Sequence, residues 1–426
     1  MIHGDAGTLT ADVAVDARSW LDRWWVAACG LMFIVGSDYR YRIRDPRAAV
    51  SATLDAAILI ELGLYGVVAW LLLTRIETWP RLRRIPLHLY LASFLVGLWV
   101  LSVAYAPSPV YSLTRAIQAC IVLAFTLVVA AKATRGDLHR FAHAFMLLVA
   151  VSVVYGVVRP SPPINRLQVG RFTWLAIHPT VSGVIAALGA LLAVAYLLWG
   201  GRPRPGPRWH PLAYAGLLVV AGGATLAAQT RGAVLGLTAG IVTFVIVVVS
   251  GRTRLTVVVG LLAAAIVVAL TATDTITTYF ARGASEEELA TLNSRTELWD
   301  AALGAFAEEP LFGYGVGASR VIFYEETGLG GGHNAVVNIA VELGLFGLIC
   351  WLALVASTYL SGLRLGGSPT SGIAADRAII VSVLVFLMVD GIFFEGVGAV
   401  TNVASTWLFM IVAWLAVARR SIADAQ

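Results

Sequence analysis

The feature that most constrains this chain is a succession of apolar runs, each long enough to cross a bilayer, filling the sequence from Trp24 to Ala418. A helix rises 1.5 Å per residue, so about 20 apolar residues span the roughly 30 Å hydrocarbon core. Backbone polar groups find no water there, which restricts spanning structures to helices and closed barrels. Apolar windows between charged or Gly/Pro breaks occur at 19–37, 50–74, 87–106, 113–132, 141–159, 177–199, 211–229, 232–250, 254–273, 334–361, 375–396 and 400–418. Their lengths are helical. The expectation is an all-α integral membrane protein of about twelve transmembrane helices. It would form one polytopic domain over 1–426, with a large loop, 274–333, inserted between helices 9 and 10.

Composition agrees. Only 13% of the 426 residues are charged and 59% are hydrophobic, whereas soluble domains average about 25% charged. The net charge of +5 would otherwise raise nucleic acid as a partner. In a membrane protein, cations gather in cytoplasmic loops, so no nucleic acid is expected and membrane lipids are. Cys29, Cys120 and Cys350 lie inside apolar runs, with neither metal-ligand spacing nor an even disulfide set. No cleavable signal is expected, and the first helix is retained. At Val26-Ala27-Ala28-Cys29 the apolar stretch follows the Cys instead of preceding it.

Loop charge orients the chain. Alternate loops carry Arg75, Arg81, Arg83 and Arg84; Lys132, Arg135 and Arg140; Arg202, Arg204 and Arg208; Arg252 and Arg254; Arg364 and Arg377; and Arg419 and Arg420. All fall on the cytoplasmic side of a cytoplasmic (inner) membrane if both termini are cytoplasmic. The stretch Asp274–His333, with ten acids against three Arg, then lies outside.

Two outer loops run against that bias. Arg40, Arg42, Arg44 and Arg47 follow helix 1, and Arg159, Arg166 and Arg171 lie between helices 5 and 6. Cations there point to an anionic partner such as a phosphate. For the first group, pairing with Asp38, Asp45 or lipid headgroups explains the charges equally well. The second group has no acid within its loop, so Arg171, Arg166 and Arg159 are candidate substrate contacts.

The long outer loop contains a readable helix. Ser294-Arg295-Thr296-Glu297 fits a capping box, and Pro310 and Gly313 mark the end. Arg295, Trp299, Ala302 and Phe306 share one stripe, opposite Glu297, Asp300 and Glu308. Arg295 and Trp299 therefore face the protein body or membrane surface, either snorkelling or contacting a ligand. His333 and Asn334 close the loop after Gly330-Gly331-Gly332, glycines that permit close approach of a chain or ligand. No Gly-Lys-Ser/Thr follows, so this is no phosphate loop. Gly313-Tyr314-Gly315-Val316-Gly317 lacks the strand-and-helix setting of a dinucleotide site. Arg231 sits at the outer break between helices 7 and 8, where it either snorkels or faces a cavity. Glu61 and Asp390 lie within apolar runs, and only Asp55 and Glu395, near helix ends, accompany them.

These residues in their order carry a resemblance. The series Arg171-Phe172…His178-Pro179, Gln229-Thr230-Arg231-Gly232, Arg295…Trp299…Pro310-Leu311-Phe312-Gly313-Tyr314-Gly315 and His333-Asn334…Glu342-Leu343-Gly344 resembles the O-antigen ligase/polymerase family over roughly 165–350. Thr230 stands where a Ser is usual and keeps the hydroxyl. The resemblance implies a GT-C-like, metal-independent membrane glycosyltransferase without cofactor. Such an enzyme moves a glycan from an undecaprenyl-pyrophosphate carrier to an acceptor sugar hydroxyl, inverting the anomeric centre. It implies Arg231 and Arg295 as the essential arginines and His333 as the essential histidine of catalysis; Arg171, Arg166, Arg159, Asn334 and Trp299 are the candidate substrate contacts beside them. The chemistry is coherent, because Arg binds phosphate bidentately and preorganised cations act strongly in a low-dielectric site. An imidazole, ordinarily titrating near about 6.5, suits a general base. A ligase acting on a lipid-anchored acceptor, lipid A-core, is the leading expectation. A polymerase using the same donor is the alternative within the family. A lipid-linked sugar transporter is the alternative outside it, although no internal repeat links the two halves.

Overall fold

In a computed structural model the chain is described over residues 19–40, 55–75, 85–163, 168–200, 202, 204–249, 252–281, 295–327, 331–366 and 372–424. The described residues form α-helices and connecting loops. These are α1 (Trp20–Asp38), α2 (Ala56–Leu73), α3 (Leu87–Ser102), α4 (Pro109–Lys132) and α5 (Arg135–Val158). They continue with α6 (Pro179–Trp199), α7 (Pro211–Ala227), α8 (Arg231–Val248), α9 (Arg252–Thr271) and α10 (Thr273–Ala281). The last are α11 (Arg295–Glu308), α12 (Ala318–Thr327), α13 (Ala335–Leu363), α14 (Gly372–Gly391) and α15 (Val403–Ala423). Each apolar window contains one of α1–α9 and α13–α15. Eight of these, α2, α4, α5, α6, α8, α13, α14 and α15, are long and apolar enough to cross a membrane, and α3 and α7 are apolar but shorter.

Several boundaries differ from the hydropathy windows, for capping reasons. Helix α2 starts at Ala56, not 50, because Asp55 Oδ1 accepts from Ile58 N at 2.9 Å. Helix α5 starts six residues before its window because Thr134 and Asp137 form a reciprocal capping box. That box carries the helix through the charged turn Arg135–Arg140, which hydropathy does not count. Helix α14 stops at Gly391 instead of 396. It leaves a tight connection, 392–402, that includes a 3-10 turn at Gly396–Gly398.

Helices α6 and α15 are buried on nearly every side, and the others pack around them. Helix α8 meets α14 through Gly232, Gly236 and Gly240, one every fourth residue. A β-carbon on these would stand 2.9 Å from Asp390 Oδ1, 3.0 Å from the Phe386 carbonyl and 3.2 Å from the Ser382 carbonyl. Small residues at this spacing let two backbones approach closely without a hydrophobic driving force from lipid.

Contacts sort the helix ends into two groups. At one end, Tyr39 and Ser152 share a hydroxyl hydrogen bond of 2.8 Å, and Ala176 N donates to Arg40 O at 2.9 Å. Val403 N donates to Asp38 Oδ2 there, at 2.5 Å. At the opposite end, Arg135 pairs with Asp376, and His139 Nε2 lies 2.9 Å from Asp376 Oδ1. Lys132 and Arg420 also donate there, to the carbonyls of Arg75 and Ala130.

Candidate active site

The site is assembled where two broken elements interlock. Helix α13 is interrupted at Gly344, whose φ of 60° and ψ of −158° are non-helical. The break frees carbonyls and amides that hydrocarbon cannot satisfy, and the segment Pro310–Gly315 satisfies them. Tyr314 N and Gly315 N donate to the carbonyls of Val341 and Glu342 at 2.9 and 2.8 Å. In return Leu345 N and Phe346 N donate to the carbonyls of Pro310 and Leu311 at 2.9 and 3.3 Å. Gly344 permits this, because a β-carbon there would fall onto the Leu311 carbonyl. Two motifs far apart in sequence are thus one structural clasp. Ser112 Oγ and Ser102 Oγ extend it, bonding Val316 O at 2.7 Å and Val316 N at 2.9 Å. Helix α11 seats on the clasped segment through Leu298 and Ala302, against Phe323 and Val341.

His333 stands at the entry of α13 with φ of 46°, in the left-handed region that a non-glycine residue adopts only under local constraint. Its Nδ1 lies 3.8 Å from Glu395 Oε2. Glu395 is the residue that sequence reasoning passed over as a helix-end acid. With α14 ending at Gly391, it lies in the connection to α15 and packs directly onto Gly331. Gly331 therefore admits the carboxylate of Glu395. Only the helical window of 375–396 hid this, since hydropathy does not register a turn followed by Gly396 and Gly398.

Arg231 is the first residue of α8. Its Nη2 donates to Ala281 O at 3.4 Å, while its Nε is buried without a hydrogen-bond partner among the described residues. Next to it, Gly232 abuts Asp390 Oδ1, in the last turn of α14, and Phe393, in the connection that carries Glu395. Asp390 Oδ1 and Glu395 Oε2 are likewise buried without hydrogen bonds among the described residues. Buried polar groups are nearly always paired; among the described residues these three atoms stand without a hydrogen-bond partner around one turn, beside His333.

Arg171 reaches the same end. Its Nε donates to Ala228 O at 2.9 Å and its Nη2 to Thr230 Oγ1 at 3.3 Å. Thr230 Oγ1 in turn donates to Pro179 O at 3.0 Å, so the hydroxyl kept at this position ties Arg171 to the start of α6 and α8. Burial, with Arg231 adding to it, pushes the Arg171 guanidinium down to about 10. It stays cationic at neutral pH.

The remaining expected residues divide. Position 295 opens α11, in the same row as Leu298, Trp299 and Ala302, but its side chain lies outside the described residues, as do Ser294 and Arg166. Trp299 is half-buried beside Leu298, and its Nε1 has no hydrogen-bond partner among the described residues. Arg159 is exposed at the end of α5. Asn334 is engaged within the fold. Its Oδ1 caps α13 by accepting from Val336 N and Val337 N at 2.8 and 3.2 Å, and its Nδ2 donates to Ile392 O at 3.1 Å. That last bond fastens His333 to the connection bearing Glu395.

The acid Glu61, expected to stand without an ionisable neighbour at helical spacing, has one across helices. Arg115 Nη1 lies 2.7 Å from Glu61 Oε1, and it also donates to Gln118 Oε1 and Thr401 Oγ1 at 2.8 Å each. Single-sequence spacing does not register a partner 54 positions away. Arg40 lies near this group, and burial, reinforced by Arg320, lowers its guanidinium. Arg42, Arg44 and Arg47 lie outside the described residues.

Comparison with known proteins adds one match. Residues 216–352 match the family model for O-antigen ligase, which supports an O-antigen ligase-like family for this chain. The matched stretch runs from α7 to the middle of α13 and includes Arg231, Arg295 and His333. A comparison with curated proteins finds no match.

Proposed function

We propose that this chain is a GT-C-like glycosyltransferase of the O-antigen ligase type, acting at the outer face of the cytoplasmic membrane with both termini in the cytoplasm. Its donor is a glycan on undecaprenyl pyrophosphate, and its acceptor is a sugar hydroxyl of lipid A-core. The observation that carries the reading is the grouping of His333, Glu395, Arg231 and Asp390 around one turn, with three buried polar atoms left unpaired there among the described residues.

In this mechanism Arg231 and Arg171, joined by Arg295, bind the pyrophosphate. His333 takes the proton of the acceptor hydroxyl as its oxygen attacks the anomeric carbon from the face opposite the carrier. The bond from that carbon to the carrier oxygen breaks, and the electron pair leaves with the pyrophosphate. The developing negative charge falls on Arg171 and Arg231, held by the carbonyls of Ala228 and Ala281, which spares the reorganisation that water would need. The charge of these guanidiniums supplies what a divalent cation would otherwise provide, and in this reading the reaction needs no metal. Glu395 orients the His333 ring and stabilises the imidazolium as it forms, the part played by a carboxylate behind a histidine base.

The test is transfer by purified protein given the lipid-linked glycan and lipid A-core. Glycosylated lipid A-core with release of carrier pyrophosphate is expected. Longer carrier-linked chains would instead make the protein a polymerase, and movement of the carrier across vesicles without transfer would make it a transporter. His333→Ala should lower transfer by about 10²–10⁴-fold while still binding donor. Glu395→Gln should lower it less. Unchanged transfer in His333→Ala would remove that residue from the mechanism.

A further inference from the structure

Among the described residues, three that are not glycine hold a left-handed backbone, and all three lie at the end of the bundle that carries Arg171 and His333. They are Leu175, Gln229 and His333, with φ of 54°, 50° and 46°. A β-carbon in this region crowds the neighbouring carbonyl, so such a residue persists only where the surrounding structure or a function requires it. Leu175 packs its side chain against the helix core, and His333 places Nδ1 3.8 Å from Glu395 Oε2. Gln229 has neither use. It is partly buried, and its amide has no hydrogen-bond partner among the described residues. The turn itself needs only the backbone of this residue. Gln229 is the first residue beyond the cap of α7, and its N donates to Leu226 O at 3.0 Å, one of the bonds that close a helix on a left-handed residue. Glycine is the usual occupant there, because it has no β-carbon to strain. The glutamine side chain is an addition that this helix end does not require.

The same turn gathers the cations of the site. Arg171 Nε holds the carbonyl of Ala228 and its Nη2 holds Thr230 Oγ1, the residues on either side of Gln229. Arg231 follows two positions later and donates to Ala281 O. Tyr279, two residues before Ala281, donates to Leu226 O at 3.1 Å, so α10 walls the turn on that side. Consecutive Cα atoms are about 3.8 Å apart, which sets Gln229 beside any group held by Arg171 and Arg231.

We infer that Gln229 is a specificity-determining residue, which hydrogen-bonds the substituent at C2 of the first sugar of the donor glycan. The inference rests on the reading of Arg171 and Arg231 as the pyrophosphate site. Chemistry selects the target. A phosphate oxygen offers only lone pairs, which guanidiniums already match. A carboxamide carries both donors and an acceptor, so its counterpart is a group that gives and takes a hydrogen bond, a hydroxyl or an acetamido group. On a sugar joined through its anomeric carbon to a pyrophosphate, the C2 substituent is the nearest such group.

The experiment measures donor binding by the full chain in nanodiscs. It uses two polyprenyl diphosphate sugars that differ only at C2, one with a hydroxyl and one with hydrogen. Wild type should bind the hydroxyl donor about 3–10-fold more tightly, the effect of one neutral hydrogen bond. Gln229→Gly should abolish that preference by weakening the hydroxyl donor alone, while Tm holds or rises because the left-handed turn is relieved. Gln229→Ala removes the amide but keeps a β-carbon, and so the strain of wild type; it gives the same measurement should glycine loosen the turn. A preference unchanged in either folded variant, or an equal loss for both donors, overturns the inference. Equal binding of the two donors by wild type overturns it as well and leaves the pyrophosphate reading intact. Wild type that binds neither donor refutes the pyrophosphate reading and the inference with it. The preference without glycan transfer to any acceptor would leave the inference standing and refute the transferase reading instead.

Discussion

Gly344→Ala should uncouple the clasp between α13 and Pro310–Gly315. Alanine at φ 60° and ψ −158° enters a region used almost only by glycine, at about 1–3 kcal/mol. Its β-carbon would also overlap Leu311 and come within 2.6 Å of Phe312 N, so the loop must retreat. Retreat lengthens the four reciprocal backbone bonds. Losing two of them costs about 1–3 kcal/mol at about 0.5–1.5 kcal/mol each, and groups left buried without partners cost more. Together the change should destabilise the fold by about 2–6 kcal/mol. In detergent this should appear as a fall in Tm on the order of 5–10 °C, with loss of glycan transfer, because the clasp joins α11 to the helix that begins after His333. Gly63→Ala is the control: it is exposed on α2, with nothing within 4 Å of an added β-carbon, and should be neutral or slightly stabilising. If Gly344→Ala unfolds at the same temperature as the control and transfers normally, the clasp does not hold the site together.

Other outcomes follow from the same geometry. Arg171→Lys keeps a charge but cannot hold Ala228 O and Thr230 Oγ1 in the same forked arrangement. Binding of polyprenyl diphosphate should weaken about 10–100-fold, from about 1.5–3 kcal/mol for a charged hydrogen bond. An unchanged Kd would place Arg171 outside the site. Because burial lowers its pKa to about 10, the cation is present below that value and lost as pH rises through it, so wild-type binding should weaken there. Gly232→Ala forces a β-carbon against Phe393 and Asp390. This should cost about 1–3 kcal/mol and displace the connection bearing Glu395. Transfer should fall more than donor binding, and equal losses of both would count against a role for that connection in the chemical step.

Much of the fold was legible because the signals are local. Apolar length and charged breaks located each of the long helices, since the cost of burying charge in hydrocarbon acts residue by residue. Pro310 and Gly313 correctly marked the end of α11. Starts and stops were read less well. At α5 a capping box extends the helix into charged sequence, and at α14 a turn of small residues looks apolar enough to be helix.

For the site, sequence order drew attention to Arg171, Arg231 and His333, and the described contacts place these at one end of the bundle. It did not register that Asn334 caps α13 and bonds Ile392, and it left Glu395 aside. The sequence by itself determined that the chain is a bundle of apolar helices with cations out of place between them, because hydropathy and charge are properties of each residue alone. Only the tertiary structure decided that Glu395 stands behind His333, that Arg115 neutralises Glu61, and that the break at Gly344 is closed by Pro310–Gly315. Each of those is a contact between segments distant in sequence, fixed by how closely glycine lets backbones approach and by the need to pair every buried polar group.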